Sequence, residues 1–257
     1  MPRIATAWKY EIWTDSATRQ WQTPGVRGYG QYCPVAKAAE VLGERWTLLI
    51  VRDLMMGAHR FTDLQRGLPG ISRTLLVERL RRLENDGLVE RRLGASGRAE
   101  YWLTALGLDL GPAVMAVGEW AVRNFGREPQ RGELDAGVLM LWIERRAHRD
   151  ELPHGRLVVR FELRGATRQP RAWLVVEDQV PSACLEDPGI DVDLVGLTHV
   201  RSLHLVFAGR LALSTALRSG ALTLEGSAAQ RRAFSRWFGL SPFAPEAERS
   251  GELVRTA

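Results

Sequence analysis

Residues 59–103 constrain the fold more than any other stretch, because their apolar spacing changes in a definite order. A short helical pattern ends at Pro69-Gly70, and Ser72, a favourable N-cap residue, is predicted to begin a second helix. Asn85-Asp86-Gly87 ends that helix, and two β-rich runs follow around a Gly-containing turn. This order predicts a winged helix-turn-helix module. The apolar positions that define its two helices are Phe61, Leu64 and Leu68, then Leu76, Leu80 and Leu83.

Arginine residues are concentrated in the second helix and the hairpin. Residues 72–98 contain seven arginines against four acidic residues. If the leucine stripe faces the core, a rotation of about 100° per residue turns Arg81 and Arg82 outward. The first turn of the helix offers free backbone N–H groups to phosphate. The alternative is an arginine-rich surface that is only solvated. We predict that the module binds double-stranded DNA through Ser72, Arg73, Thr74, Arg81, Arg82 and, at the hairpin turn, Arg98.

Several separate blocks of residues 30–122 resemble the HxlR family of bacterial winged-helix regulators. The resemblance implies a DNA-binding transcription factor that forms a homodimer through its outermost helices. The blocks are Tyr32-Cys33-Pro34-Val35, Gly43-Glu44-Arg45-Trp46-Thr47-Leu48-Leu49-Ile50, Arg60-Phe61-Thr62-Asp63-Leu64, Ile71-Ser72-Arg73-Thr74-Leu75 and Leu83-Glu84-Asn85-Asp86-Gly87-Leu88-Val89.

Cys33 lies immediately before the first helix of this region. In some members of the HxlR family, a cysteine at this position senses oxidants or electrophiles, and the resemblance therefore makes Cys33 a candidate redox site. The alternative is a small buried apolar residue at a helix start, which is the usual state of a free cysteine.

The length and charge of the chain set broader bounds. A chain of 257 residues can form two ordinary domains. The net charge of +5 favours nucleic acid only weakly, and the two cysteines are typical of a reducing compartment. No apolar run approaches the roughly 18 residues of a membrane span, and the N-terminus does not resemble a signal peptide. We therefore expect a cytoplasmic protein that contacts no membrane.

The second half of the chain changes period after a polar linker at 126–132. Grouped strands followed by helices predict an α+β domain over residues 133–240. The run from Leu211 to Gly226, followed by Phe234 and Trp237, resembles the sterol carrier protein-like fold. That resemblance implies an antiparallel sheet covered by helices, with an apolar tunnel. Residues that are candidates to line a ligand pocket there, or else simply to fill a core, are Trp142, Phe161, Trp173, Phe207, Phe234 and Trp237.

The remaining segments complete the predicted domain organisation. Residues 1–30 are expected to form a flexible extension, and 31–125 the mostly α-helical DNA-binding domain. Apolar spacing predicts helices at 34–42 and 46–56, and a longer segment at 105–125 that Pro112 bends or splits. The tail, 241–257, is expected to be disordered.

The sequence contains no pattern of residues that is typical of an enzyme. The histidines and cysteines have no metal-ligand spacing, and no nucleotide-binding or nucleophile motif is present. We therefore predict a transcriptional regulator without cofactor or metal, whose C-terminal domain is a candidate sensor of an apolar effector. Two alternatives are a lipid carrier whose winged helix mediates protein association, and a regulator whose second domain is only a structural brace.

Overall fold

The computed structural model describes residues 28–94 and 97–245. Residues 1–27 of the expected N-terminal extension, 246–257 of the expected C-terminal tail and 95–96 of the predicted hairpin turn lie outside the described residues. Residues 241–245, which we expected to be disordered, are ordered instead: Ser241 N donates a hydrogen bond to Phe207 O at 2.8 Å, and Ala244 is buried. The chain divides into two compact units, residues 1–43 and 44–257. In the first, helix α1 (Pro34–Leu42) begins with a proline, which suits the first helical turn because it needs no N–H partner there.

The second unit begins with the predicted winged helix-turn-helix module, which is confirmed. Helix α4 carries the expected leucine stripe, since Leu76, Leu80 and Leu83 are buried. The two strands of the wing pair antiparallel, from Val89 opposite Leu103 to Leu93 opposite Ala99. The elements are α2 (Thr47–Met55), α3 (Phe61–Gly67), α4 (Arg73–Asn85), β1 (Val89–Leu93) and β2 (Ala99–Leu103).

The long apolar segment that follows the wing is split, as Pro112 and the neighbouring glycines predicted. Thr104 caps α5 (Ala105–Leu108) by accepting a hydrogen bond from Gly107 N, and α6 (Gly111–Phe125) packs against α2. Residues 105–125 together reach the length and mean hydropathy (1.2) of a membrane span, with 17% of that window buried. The sequence had led us to expect no such stretch, so this finding differs from that expectation.

The C-terminal half is α+β, as predicted. Its five-stranded sheet has the order β5-β4-β3-β6-β7. Helix α7 packs against β4, β5 and α3, and the later helices follow the strands in sequence. The elements are α7 (Ala136–Arg146), β3 (Arg156–Arg164), β4 (Arg171–Glu177), β5 (Val180–Cys184), β6 (Leu194–His199), α8 (Val200–Phe207), α9 (Leu213–Ser219), β7 (Leu222–Gly226) and α10 (Ala228–Trp237).

The sheet differs from the expected one in two respects. It is not wholly antiparallel, because β3 pairs in parallel with β6 while the other neighbours are antiparallel. In addition, it carries apolar clusters on both faces. The larger cluster, on one face, includes Phe161 and Leu163, and the smaller cluster, on the other face, consists of Val158, Trp173 and Val175. The residues of β3 alternate between apolar and polar, which is typical of a half-buried strand, but the strand is buried on both sides.

Candidate nucleic-acid interface

The turn between α3 and α4 fixes where α4 begins. Leu68 and Ile71 anchor the turn in the core, with 1% and 7% of their surfaces exposed. Gly70 between them has φ +92°, a left-handed conformation that glycine adopts without strain. The Ser72 side chain then accepts a hydrogen bond from Leu75 N (3.2 Å) and caps the helix, as predicted. The first turn of α4 is thus held in place while its polar side chains remain exposed.

The outer face of α4 is a shallow surface depression of about 630 Å³. Arg73, Thr74 and Arg81 are exposed on it, as the helical rotation predicted. The Arg73 guanidinium lies 5.0 Å from the centroid of the Phe61 ring, which steadies the side chain near the first turn. This face of α4 carries hydrogen-bond donors, and a single α-helix is an element that the major groove of DNA can admit. Its residues are Arg73, Thr74, Val77, Glu78, Arg81, Arg82 and Asn85.

The orientation of Arg82 differs from the sequence prediction. Its side chain is 17% exposed and pairs with Glu44, and its Nε atom lies 3.8 Å from Asp86 Oδ2. Arg79 also pairs with Glu44, at 2.5 Å between Nη1 and Oε2. The cause is the helical position of these arginines, which flank the leucine stripe and reach across the side of the helix toward the start of α2. Burial raises the pKa of Asp86, and the neighbouring Arg82 acts in the opposite direction.

The wing places further arginines at the surface. Arg91, Arg92 and Arg98 are exposed on the β1–β2 hairpin. Arg92 pairs with Glu90, and its guanidinium lies 5.5 Å from the centroid of Trp102. Trp102 in turn stacks on His59, with ring centroids 3.6 Å apart. A rigid aromatic base therefore supports the side of the wing that carries Arg92, while Arg98 stands next to the turn.

The other sequence candidates are dispersed. Cys33 is a half-buried free thiol at the N-cap of α1. The six aromatic residues of the proposed ligand pocket do not meet in one place. Phe161, Phe207, Phe234 and Trp237 are buried in the main core, with Trp142 packed against it, whereas Trp173 lies on the opposite face of the sheet.

A buried polar contact joins the module to the C-terminal half, and sequence reasoning missed it. Asp53, fully buried in α2, lies 2.8 Å from Arg52 Nη2 and 3.7 Å from Arg145 Nη1 of α7. A Cβ atom at Gly67 of α3 would collide with the Asp53 carboxylate, so glycine at this position allows α3 to lie close to α2. The adjacent charged pair Arg52-Asp53 in the mainly apolar sequence of α2 was the available signal.

Two further hydrogen bonds support the same contact. The Arg66 guanidinium donates to Ala183 O of β5 at 3.3 Å, and Ala183 N donates to the Glu144 carboxylate of α7 at 2.8 Å. Burial raises the pKa of Asp53 and of Glu144, while the adjacent arginines act against this rise. Burial also lowers the pKa of Arg145, which the nearby acids oppose. The contact is thus a cluster of desolvated charges, in which each charged side chain is stabilised by its neighbours of opposite charge.

Comparison with known proteins finds relatives of the winged helix-turn-helix region. A family model described as HxlR-like helix-turn-helix matches residues 41–129. YvaP of Bacillus subtilis, an HTH-type transcriptional regulator, is 38% identical over 94 residues, which are 35% of this chain and 87% of that protein. Rv3095 of Mycobacterium tuberculosis, also an HTH-type transcriptional regulator, is 46% identical over 88 residues, which are 34% of this chain and 55% of that protein. The reduced form of the transcriptional regulator YodB from B. subtilis shares 34% identity over 37% of this chain and 95% of that one, with a TM-score of 0.32.

Proposed function

This chain belongs to the HxlR-like helix-turn-helix family, and we propose that it regulates transcription in the cytoplasm by binding an operator in double-stranded DNA. The observation that carries the proposal is the outer face of α4, where a capped first turn holds Arg73, Thr74 and Arg81 exposed together. Arg81 is the residue placed to read a base edge, because it stands on the middle of the helix face and forms no ion pair with the residues that the structure describes. Arg98 would contact the backbone or the minor groove from the wing.

The proposed homodimer would form through α6. Val117, Trp120 and Phe125 expose 50%, 51% and 64% of their surfaces on this helix. Large apolar side chains grouped at one exposed face are typical of an interaction surface. Val114, on the same helix, is buried, because α6 packs against α2, and is therefore unsuited to that role.

The C-terminal half would have two tasks in such a regulator. The cluster of Asp53, Arg52 and Arg145 supports a brace that holds α2 and α3 against α7. The sterol carrier protein-like resemblance supports an effector-binding role. The aromatic residues at the centre of the domain are packed together, so we propose that an effector binds beside that core, at the contact with the module. This packing also favours a regulator over a lipid carrier with an internal tunnel.

Selection from random duplex DNA tests the proposal most broadly. The full chain is incubated with a randomised library, bound duplexes are recovered and sequenced, and a chain with Arg81→Ala is treated in the same way. We expect enrichment of an inverted repeat whose half-site centres lie about 10 base pairs apart or a multiple of that. Recovery of no enriched sequence over several rounds would contradict the proposal.

A further inference from the structure

A surface groove of about 650 Å³ lies in the C-terminal half, where the end of α7 meets the segment 238–245. Helices α9 and α10 also contribute to its lining. The volume is within the range of sites that bind small organic molecules. The groove adjoins the main core of this half, since Phe238 belongs to both and Leu213, which also lines the groove, packs against that core. The groove is therefore a candidate for an effector site beside the core.

Arg146, the last residue of α7, is held at this groove by a hydrogen bond. Its side chain is exposed, and its Nε–H donates to Leu240 O at 3.0 Å. Both residues line the groove. A Cβ atom at Gly239 would collide with Arg146 O, so glycine at this position allows the segment 238–240 to pass close to the end of α7. The hydrogen bond uses one of the five N–H donors of the guanidinium and leaves those on Nη1 and Nη2 to a ligand.

The positive charge of Arg146 is not compensated by the part of the chain that the structure describes. Arg146 forms no ion pair there, and none of the described residues that line the groove is acidic. The acids nearest to it in sequence have other partners, because Glu144 accepts from Ala183 N and Glu151 pairs with Arg236. The groove therefore has a positive potential, which attracts an anion.

Hydroxyl and imidazole groups supply further polar atoms around the groove. Ser214 of α9 and Ser235 of α10 are exposed and line it. The Ser241 hydroxyl accepts a backbone N–H at 3.3 Å, so its own O–H is left to donate. His148 donates through Nδ1 to Arg236 O at 2.8 Å, because a carbonyl oxygen can only accept, and Nε2 is the ring nitrogen that remains. These groups can solvate the anionic end of a ligand.

The arrangement favours a carboxylate among the organic anions. The edge of the Arg146 guanidinium that carries Nη1 and Nη2 matches the two oxygen atoms of a carboxylate, which can accept both hydrogen bonds together. A phosphate monoester carries nearly two negative charges, whereas the lining contains one arginine and, among the described residues, no lysine. The side chains of Leu213, Phe238 and Pro242 provide apolar surface for the rest of the molecule.

We propose that this groove binds a small organic carboxylate with a compact apolar body, paired with Nη1 and Nη2 of Arg146. The binding site stands on the groove alone, whereas its regulatory role rests on the proposed function. That role deepens the effector-binding task of the C-terminal half, because it names the chemical class of the effector.

The segment 241–245 connects the groove to α6. Ser241, Pro242 and Ala244 line the groove, and the ring of Phe243 between them packs on Gly118 of α6, where a Cβ atom would collide with it. A carboxylate that binds one arrangement of this segment more tightly biases the position of α6, through which we expect the homodimer to form. DNA affinity then shifts with ligand binding, and DNA shifts ligand affinity by the same factor.

Isothermal titration calorimetry of the full chain with 2-naphthoate tests the site. The matched probe is 2-naphthamide, which has nearly the same shape but carries no charge. We expect saturable binding of 2-naphthoate, and binding of the amide that is weaker by about tenfold or more because the charge-assisted pair is lost. Absence of saturable heat with 2-naphthoate, or equal affinities of the two probes, overturns the proposal.

Two variants locate the binding. Arg146→Gln keeps an N–H donor for Leu240 O but removes the charge, so it should weaken 2-naphthoate by about tenfold or more and leave the amide unchanged. Arg149→Gln is the matched control, because it removes the charge of another exposed arginine, three positions later, that does not line the groove. It should leave both affinities unchanged.

Three results with these variants would overturn the proposal. Unchanged binding of 2-naphthoate to Arg146→Gln would place the probe elsewhere, and so would an equal loss in Arg149→Gln. An equal loss of both probes in Arg146→Gln would show that the side chain maintains the structure and does not pair with the carboxylate.

The same proteins are titrated with DNA, with and without saturating 2-naphthoate. We expect the probe to change DNA affinity by about fivefold or more, and Phe243→Ala, which removes the ring at Gly118, to bind the probe without this change. An effect of the probe that persists fully in Phe243→Ala, or no effect in the unsubstituted chain, overturns the connection through 241–245.

Failure of the groove and failure of the proposed function give different results. DNA binding without 2-naphthoate binding refutes the groove proposal and leaves the regulator intact. Binding of 2-naphthoate with the predicted variant pattern, but without any DNA binding, supports the groove and contradicts the proposed function.

Discussion

At the scale of single residues, neighbouring arginines on α4 have different environments. Arg81 is exposed, whereas Arg82 is paired with Glu44 and Asp86. The helical period predicted the exposure of Arg81 because that property depends only on the stripe of its own helix. The orientation of Arg82 depends on Glu44, which lies 38 positions away in the sequence. Local spacing contains no information about such a partner.

His204 gives the first prediction, which concerns pH. Folding lowers the pKa of His204 from 6.5 to about 4, mainly through burial. Between these values the unfolded chain binds more protons, so stability rises with pH in this window and is lost as the pH falls through it. We expect this residue to cost about 3 kcal/mol of unfolding free energy on acidification. Urea denaturation at a series of pH values measures the loss.

The chain with His204→Leu serves as the comparison, because it keeps Asp135, Glu133 and Arg52, which line a cavity together with His204, but has no imidazole to titrate. Its unfolding free energy should decline less steeply over the same pH range. Identical pH profiles for the two chains would show that His204 titrates normally in the folded protein.

At the scale of elements, apolar spacing predicted most helices of the C-terminal half but misplaced one strand. The alternation of Ile190, Val192 and Leu194 with acidic residues is typical of a strand, yet β6 begins only at Leu194. Ile190 and Val192 instead pack from a loop onto the smaller apolar cluster. The strand β5 was missed because Pro181 interrupts it; an edge strand tolerates proline, since one side of its backbone needs no partner.

The contact between α2 and α7 gives the second prediction. Arg145→Met removes one partner of the fully buried Asp53 and should lower the unfolding free energy by about 3 kcal/mol, because the carboxylate remains desolvated with Arg52 alone. Replacing both residues, Asp53→Leu with Arg145→Met, should recover much of this loss, since the fully buried carboxylate is removed together with Arg145, and Arg52, which is 23% exposed, can be solvated. Urea denaturation of the single and double variants measures the coupling. Strictly additive losses would mean that the two side chains do not interact.

At the scale of the whole molecule, the sequence predicted the two architectures but not how they are joined. The module and the sheet each follow from local periodicity, whereas Asp53, Gly67 and Arg145 meet only in the folded chain. The candidate groove shows the same limit. Arg146 and Leu240 are 94 positions apart in the sequence, and only the fold brings them together.

The exposed face of α6 gives the third prediction, on assembly. Val117→Glu together with Trp120→Glu places two charges on the surface that we expect a second copy to cover, so the variant should be monomeric. Val180→Glu is a suitable control, because Val180 is 57% exposed but lies on the edge strand of the sheet. Sedimentation velocity of the three chains distinguishes them. A double variant that sediments like the unsubstituted dimer, or an unsubstituted chain that is itself monomeric, would contradict pairing through α6.

The fourth prediction concerns the α4 surface and can be measured by fluorescence anisotropy at one fixed salt concentration. A selected duplex and a random duplex are titrated with the full chain, with Arg81→Ala and with Arg168→Ala, which removes the same charge from an exposed loop of the C-terminal half. The unsubstituted chain should prefer the selected duplex by about a thousandfold or more. Arg81→Ala should weaken that binding by about 1–3 kcal/mol while Arg168→Ala leaves it unchanged. Equal affinity for both duplexes, or an Arg81→Ala chain that binds like the unsubstituted one, would contradict DNA recognition by α4.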